Sequence, residues 1–243
     1  MKESLTAAGR SVRWYDILGS TNDMARAWAL EGAQEGSTVW AEEQSTGRGR
    51  RGAVWLSGPG EGLTFSVILR PGMPRALWPR LALVSGLAVV RVLEGQGLAA
   101  ELKWPNDVMV KGRKICGILV EAFDDSVIVG VGINVNEAVF PESIADIATS
   151  MRAESGRNFV LSDLLENCIE ELLHHARLVE LDFPFLAEAM RERCALTGRR
   201  VRILSAGASI VGMVRGISNQ GELQLESEGK LLSFLQADQV RLI

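Results

Sequence analysis

The sequence predicts an α+β fold in which a mixed or mainly antiparallel sheet with flanking helices is followed by a small all-β domain. Strand-like segments cluster in the middle of the chain and alternate with helices without a regular βαβ period. Residues 81–93 are apolar nearly all round, which predicts a helix buried against the sheet. From Gly198 onward, short strand-like segments are separated by glycine-containing turns, which predicts an SH3-like β-barrel.

The individual elements follow from periodicity and turn residues. Residues 1–13 are polar and predict a loose N-terminus, whereas residues 20–23 offer several helix caps and Gly32 can end the helix that follows. We expect a domain boundary near Thr197–Gly198, which separates a first domain, 1–197, from a barrel, 198–243. The remaining predicted elements are strands at 37–44, 63–69, 101–104, 108–110, 114–122 and 126–136, helices at 81–93, 162–180 and 185–196, and barrel strands at 199–204, 209–216, 222–226, 231–235 and 239–242.

Composition narrows the classes of protein to be considered. A chain of 243 residues can bury a substantial core, and 47% hydrophobic with 23% charged residues is typical of a globular protein. The net charge of −4 argues against nucleic-acid binding by bulk electrostatics. The N-terminus lacks the apolar core of a signal peptide, and no apolar run is long enough to span a membrane. Cys116, Cys168 and Cys194 lack metal-ligand spacing, so we expect reduced thiols in a cytoplasmic protein.

The arginine loop, residues 46–53, is the segment most suggestive of a ligand. It places Arg48, Arg50 and Arg51 among glycines, and Trp55 follows. Glycine lets the backbone approach a ligand closely, and arginine supplies planar donors that suit carboxylates and phosphates. The alternatives are a solvated basic loop or an RNA-binding Arg/Gly segment. Because the loop stands between two predicted strands of an acidic protein, we interpret it as a mobile lid over a small anionic ligand.

Two further segments combine polar groups with apolar strands. Residues 103–107, Lys-Trp-Pro-Asn-Asp, are typical of a turn, and Lys114 opens an apolar strand from which its ammonium group could enter a pocket. A plain hairpin corner and a solvent-facing lysine are the alternatives. Gly130 and Gly132 lie inside the strand 126–136 without the context of a phosphate loop, so they indicate a strand against which a ligand can lie flat.

Taken in order, these motifs resemble the biotin–protein ligase family. Each motif is weak alone, but the ordered set covers nearly all of residues 14–243 and is specific. The resemblance implies the class II synthetase-like catalytic fold of that family, activation of biotin with ATP and Mg²⁺ to biotinyl-5′-AMP, and transfer to a lysine of a carboxylase carrier domain. The matching elements are Ser20-Thr21-Asn22, Gln44 with 47–52, Trp55, 103–107, Arg113-Lys114, 117–121 and 130–135, followed by the barrel.

The resemblance also implies a role for each site residue. Lys114, Arg48 and Arg50 would be catalytic, because they would neutralise the biotin carboxylate and the α-phosphate as these anions meet. Trp55 would stack on adenine, Asn134 would bond to the adenine edge, and Asp107 would lie near Mg²⁺. The implied biotin-binding residues are Ser20, Thr21, Asn22, Gln44, Arg48, Gly49, Arg50, Lys114, Gly117 and Gly132. The implied ATP-binding residues are Arg50, Arg51, Trp55, Asn106, Asp107, Lys114 and Asn134.

Some positions depart from the family pattern. Ala53 stands where many relatives carry a basic residue and Gly62 where some carry asparagine, which puts one phosphate contact and one metal-side contact in question. Only 13 residues precede Trp14, too few for the winged helix-turn-helix of the bifunctional members, so we expect the monofunctional form without specific operator binding. A homodimer is left open.

Two other functions compete with this interpretation. A lipoate–protein ligase or octanoyltransferase is expected to share the catalytic fold, although the Gly-Arg-Gly-Arg-Arg-Gly sequence favours biotin. A non-enzymatic module would use the Arg/Gly loop for nucleic acid and the barrel for peptides, and the acidic net charge disfavours it.

Overall fold

The first part of the chain is built on one large sheet. The computed structural model describes residues 2–6, 9–56 and 58–243, and within them this sheet has eight strands. Their bounds are β1 (Lys2–Leu5), β2 (Ser11–Leu18), β3 (Thr38–Gln44), β4 (Leu63–Leu69), β5 (Ala100–Lys103), β6 (Asp107–Val110), β7 (Arg113–Phe123) and β8 (Ser126–Ile133). They lie in the order β1-β2-β3-β4-β8-β7-β6-β5, and β2 with β3 forms a parallel pair in an otherwise antiparallel arrangement.

Helices cover both faces of this sheet. The helix α1 packs on β3, β4 and β8 from one face, while α2 packs on the strands from the other face and is itself covered by α4 and α5. The helices are α1 (Thr21–Leu30), α2 (Arg80–Gly95), α3 (Met151–Ser155), α4 (Leu161–Leu181) and α5 (Phe183–Glu192).

Strand β4 shows how the sequence places polar groups on one face. All of its residues are buried. Phe65 and Val67 belong to the apolar cluster that contains α2, whereas Ile68 belongs to the cluster that contains α1. Because side chains alternate between faces along a strand, Thr64 and Ser66 share the α1 face with Ile68.

The C-terminal part is a five-stranded antiparallel sheet of the SH3-like type. Its strands are β9 (Arg200–Ser205), β10 (Ala208–Ile217), β11 (Leu223–Ser227), β12 (Lys230–Phe234) and β13 (Gln239–Leu242). The segment leading into it follows the edge strand β5: Leu102 donates to the carbonyl of Arg193 at 2.7 Å and accepts from the amide of Ala195 at 3.0 Å. Trp104 donates its indole N–H to the carbonyl of Gly221 at 3.1 Å. These contacts join the barrel to the edge of the large sheet.

The predicted α+β class, the mixed sheet and the C-terminal SH3-like domain are confirmed. A loose start was predicted for residues 1–13, whereas Lys2–Leu5 form β1, which pairs antiparallel with β2, and β2 adds to the sheet through β3. Trp14 of β2 stacks on Trp40 of β3 with ring centroids 5.3 Å apart. Met1, Ala7 and Ala8 lie outside the described residues, and the boundary near Thr197–Gly198 stays a prediction. Across the described residues, no helix has both the length and the apolar character needed to cross a membrane.

Candidate active site

A cavity of about 660 Å³ opens where the start of α1, the arginine loop and the barrel meet strands β7 and β8. Almost all of the site residues predicted from the sequence line it, so segments far apart in the chain converge on one place. The predicted residues in its wall are Ser20, Thr21, Asn22, Gln44, Arg48, Gly49, Arg50, Arg51, Trp55, Asn106, Asp107, Lys114, Gly117 and Gly132.

Hydroxyl and amide groups form a network at the start of α1. Thr21 donates its backbone N–H to Oε1 of Gln44 at 2.8 Å and its hydroxyl to the same oxygen at 3.1 Å. The hydroxyl of Ser66 lies 2.6 Å from Oδ1 of Asn22 and 2.7 Å from Oγ1 of Thr21. Asn22 donates its side-chain amide to Oε2 of Glu121 at 2.6 Å. The network holds these side chains in defined orientations beside the cavity.

Glycines of β7 and β8 form a flat floor to the cavity. Gly117 pairs with Gly132 across the two strands. A Cβ atom at Gly132 would lie 2.3 Å from Cε2 of Trp55, and one at Gly117 would lie 3.1 Å from Cζ3 of the same indole. At Gly130 a Cβ atom would lie 2.2 Å from Oδ1 of Asn22. The missing side chains therefore make room for the indole and for the amide. The indole nitrogen of Trp55 is buried and has no hydrogen-bond partner among the described residues.

The arginine loop closes on itself and is tied to α1. Its two arms are joined by an antiparallel bridge between Arg48 and Val54, and the amide of Gly49 donates to the carbonyl of Ala53 at 2.6 Å. The guanidinium of Arg48 donates two hydrogen bonds to the carboxylate of Asp23, at 2.7 and 2.6 Å. The hydrogen bonds from Arg48 lower the pKa of Asp23 and raise the pKa of Arg48 itself. The positive charge of Arg48 is therefore neutralised by the carboxylate of Asp23.

The other two arginines of the loop contact the turn between β12 and β13 of the barrel. Arg50 donates to Oδ1 of Asn106 at 3.2 Å and to the carbonyl of Ala237 at 3.0 Å. Arg51 forms an ion pair with Asp238. Burial, followed by the neighbouring charge of Arg51, lowers the pKa of Arg50. The guanidinium stays charged because the ordinary arginine pKa is far above neutral.

Lys114 projects into the cavity from the start of β7. Its Nζ lies 2.7 Å from Oδ1 of Asp107 and 5.8 Å from the ring centroid of Trp55. Its backbone is held on both sides, since its amide donates to the carbonyl of Ile147 at 2.8 Å and its carbonyl accepts from Thr149 at 2.9 Å. The ammonium group thus has a fixed base and one carboxylate partner.

Glu154 of α3 joins the segments on either side of Lys114. Its carboxylate is 2% exposed and accepts from Lys111 at 2.9 Å, Arg113 at 2.7 Å and the hydroxyl of Thr149 at 2.6 Å. Burial opposes its ionisation, but the hydrogen bonds from Thr149 and Lys111 and the nearby positive charges hold its pKa below the usual value. Glu154 therefore connects the turn before β7, through Lys111 and Arg113, to Thr149 in the segment before α3.

Asn134 is the predicted residue that does not join the others. It is buried beyond the end of β8, and its side-chain amide donates to the carbonyl of Thr149 at 3.0 Å.

Several residues of the site were not predicted from the sequence. The missed residues are Asp23, Ser66 and Glu121, which pair with predicted site residues, and 237–241 of the barrel, which line the cavity. Of these, Glu121 lies inside the matching segment 117–121, and Ser66 has a signal as a polar residue in the apolar strand LTFSVIL.

The described residues hold no group of three or more His, Cys, Asp or Glu side chains that could bind a metal ion by itself. Within the cavity, the carboxylate predicted to lie near a metal, Asp107, pairs with Lys114. A cation at this place would thus need further ligands from a bound molecule.

The sequence matches two protein-family models. Residues 14–136 match the model of the biotin/lipoate A/B protein ligase family, and the chain belongs to that family. Residues 196–238 match the biotin protein ligase C-terminal domain, which narrows the similarity to the biotin protein ligases. The resemblance inferred from the sequence motifs is therefore confirmed.

Individual relatives extend this similarity over the whole chain. The chain is 35% identical to the biotin–[acetyl-CoA-carboxylase] ligase of Mycobacterium tuberculosis over 258 residues, covering 100% of this chain and 94% of that protein. It is 33% identical to the bifunctional ligase/repressor BirA of Bacillus subtilis, over 95% of this chain and 74% of BirA. The biotin protein ligase from Aquifex aeolicus in complex with biotin and ATP is 30% identical, with a TM-score of 0.88 over 96% of this chain and 99% of that chain.

Proposed function

We propose that this chain uses ATP to convert biotin to biotinyl-5′-AMP and then transfers the biotinyl group to a lysine of a biotin carboxyl carrier domain. The observation that carries the proposal is the convergence of the arginine loop, Lys114 and the hydroxyl–amide network on one cavity. The similarity to a ligase whose structure is in complex with biotin and ATP supports the same choice of substrates.

The ureido ring of biotin is a compact polar group that suits the network at the start of α1. Thr21, Asn22 and Gln44, with Ser20, offer hydroxyl and amide partners to its N–H and C=O groups. The hydrocarbon tail would lie on the glycine floor of Gly117 and Gly132. Because the indole of Trp55 covers that floor, the ring must move when biotin enters, and it is then free to stack on adenine.

Adenylation brings two anions together. A carboxylate oxygen of biotin attacks the α-phosphorus of ATP, the bond from that phosphorus to the bridging oxygen breaks, and pyrophosphate leaves. Arg48, Arg50 and Lys114 offset the negative charge that gathers at the reacting atoms, and binding aligns the two groups. Arg48 and Lys114 now pair with carboxylates of the protein, so the substrates would replace Asp23 and Asp107 as their partners.

The residues near Lys114 fit a hydrated magnesium ion that is held mainly by the phosphates of ATP. Asp107 and Asn106 would hold it, as one carboxylate and one amide oxygen, and Arg51 would lie near the same phosphates. Mg²⁺ in proteins often takes one or two carboxylates and completes its octahedron with phosphate and water. The ion would supply charge compensation to the phosphates. Asn134 is proposed to reach the adenine edge once its bond to Thr149 is exchanged.

Transfer completes the reaction. The unprotonated amine of the acceptor lysine attacks the acyl carbon and releases one proton to solvent as the amide bond forms. The bond between the acyl carbon and the phosphate oxygen breaks, and AMP leaves with its electron pair. The acceptor is proposed to be the carrier domain of a biotin-dependent carboxylase. A cytoplasmic location is supported by the three cysteines, which are all buried and free.

The experiment that tests the function is a pyrophosphate-exchange assay with biotin and with lipoate, followed by labelling of a carrier domain. Biotin should drive exchange and label one lysine. Exchange driven by lipoate but not by biotin would assign the chain to the other branch of its family, and no exchange with either would reject adenylation.

A further inference from the structure

We propose that Asp238 and the carbonyl of Ala237, both in the turn between β12 and β13, form a latch by which the barrel holds the arginine loop closed over the cavity. Asp238 is thus a positioning residue, since it acts through Arg51. The consequence for catalysis rests on the proposed function, whereas the latch itself can be tested without it.

The contacts of the loop single out this turn. Arg51 pairs with Asp238, and Arg50 donates to the neighbouring carbonyl of Ala237. Two consecutive loop residues therefore bind two consecutive barrel residues. The turn also lines the cavity, so the loop, the ligand space and the barrel meet at one point.

The tip of the loop is a tight turn that points Arg51 outward. Arg51 has φ 58° and Gly52 follows at φ 75°, and two consecutive residues in this left-handed conformation form a two-residue hairpin turn. The amide of Ala53 donates to the carbonyl of Arg50 at 3.2 Å and closes the turn. Within the loop, one bridge and a few backbone hydrogen bonds supply the local order. The ion pair with Asp238 orients the Arg51 side chain toward the barrel.

The two ends of the loop are held by different parts of the protein, so loss of the contact with Asp238 would open only one end. Arg48, on the other arm of the loop, is bound to Asp23 of the first domain, so the loop spans from α1 to the barrel. Releasing the barrel end alone would let residues 49–53 swing away while Arg48 stays in place. A closed loop excludes water and retains a reactive acyl-adenylate, so an open one should let the adenylate escape.

Limited trypsin digestion of the full chain tests the latch, because trypsin cleaves after Arg48, Arg50 and Arg51. Rates are read by mass spectrometry relative to cleavage after the exposed Lys230 of the barrel. Asp238→Asn should raise cleavage after Arg50 roughly twofold to fivefold, the change expected when one partly exposed ion pair is lost, and should leave cleavage after the Asp23-bound Arg48 close to the wild type. Asp238→Glu, which keeps the carboxylate, should stay close to the wild type.

Glu226→Gln is the matched control, because it removes a barrel carboxylate paired with Arg215 away from the loop. Unchanged cleavage in Asp238→Asn, or an equal increase in the control, would overturn the latch. An increase confined to the bond after Arg51 would also overturn it, because simple unmasking of that side chain would explain it. Thermal unfolding of each variant checks that the fold is kept.

The catalytic consequence is measured with biotin, ATP and serum albumin as a bystander. Asp238→Asn should biotinylate albumin about threefold faster than the wild type, and Glu226→Gln should not. If the wild type fails to activate biotin, the proposed function fails and the digestion result still decides the latch. If activation is normal and albumin labelling is unchanged in Asp238→Asn, the loop does not retain the adenylate through Asp238.

Discussion

The indole of Trp55 occupies the space above Gly132 that any larger residue at position 132 would fill. The clearance is 2.3 Å from the indole carbon Cε2 to an ideal Cβ, well inside van der Waals contact. The same ring lies beside Gly117 and within 5.8 Å of Nζ of Lys114. Trp55 therefore links the glycine floor to the charged end of the cavity.

Gly132→Ala should weaken biotin binding while the chain stays folded. The added methyl group competes with the indole and with a ligand on the floor, and overpacking of this kind costs about 1–3 kcal/mol, or roughly fivefold to 150-fold in affinity. Calorimetric titration with biotin measures the change. Gly95→Ala at the end of α2 is the control, because nothing lies within 4 Å of its Cβ position. Equal affinity in wild type and Gly132→Ala would remove the floor from the biotin site.

Lys114→Ala should lower biotin-dependent pyrophosphate exchange by roughly a hundredfold to a thousandfold, as for the loss of one preorganised electrostatic contact. Its ammonium is paired with Asp107 and stands at the cavity, so its removal leaves the phosphate side short of positive charge. Lys230→Ala on the exposed barrel surface is the control. Exchange within a few fold of the wild type would exclude Lys114 from the chemical step.

Ser66→Ala should weaken biotin binding and lower the free energy of unfolding by about 1–3 kcal/mol. The reason is that the buried oxygens of Thr21 and Asn22 lose a hydrogen-bond partner. Calorimetry and urea unfolding measure the two effects. Ser85→Ala in α2 is the control, since it removes a buried hydroxyl from the opposite face of the sheet. If both variants bind biotin alike, the hydroxyl of Ser66 does not organise the site.

Glu154→Gln should lower the free energy of unfolding at pH 7 by about 1.5–3 kcal/mol, because charged hydrogen bonds to a buried carboxylate are lost. The folded state lowers the pKa of Glu154, so its contribution is present above the unfolded pKa of about 4.3 and fades as pH falls through the folded value. Urea unfolding between pH 7 and pH 3 should show the gap between wild type and variant narrowing. Glu31→Gln, in an exposed pair with Arg13, should show almost no gap. A gap that is constant with pH would contradict this account.

Local chemistry explains why so much of the cavity could be predicted from the sequence. The arginine loop and the turn 103–107 are contiguous motifs, so the residues that carry charge and the glycines that make room for it can be recognised together. Helix α1 begins directly after Ser20, among the predicted cap residues 20–23, and strand β4 has the predicted bounds Leu63–Leu69. The α+β class then follows from the order of these elements.

The parts that could not be predicted depend on long-range pairing. Asp23 and Asp238 have ordinary surface sequences, and they become site neighbours only because the fold brings α1 and the barrel to the arginine loop. Strand β1 is polar, so its order comes from pairing with β2. The position of Trp55 on the glycine floor likewise depends on how the loop is folded back.

The backbone hydrogen bonds between β5 and the segment before the barrel affect whether a truncated chain can stay in solution. Leu102 and Trp104 are almost wholly buried, and the backbone of Leu102 is bridged to Cys194. Deleting residues from Arg193 onward would uncover an apolar sheet edge with unpaired N–H and C=O groups. Exposed edges of this kind pair with one another, so residues 1–192 expressed alone should precipitate or form soluble aggregates rather than remain monodisperse.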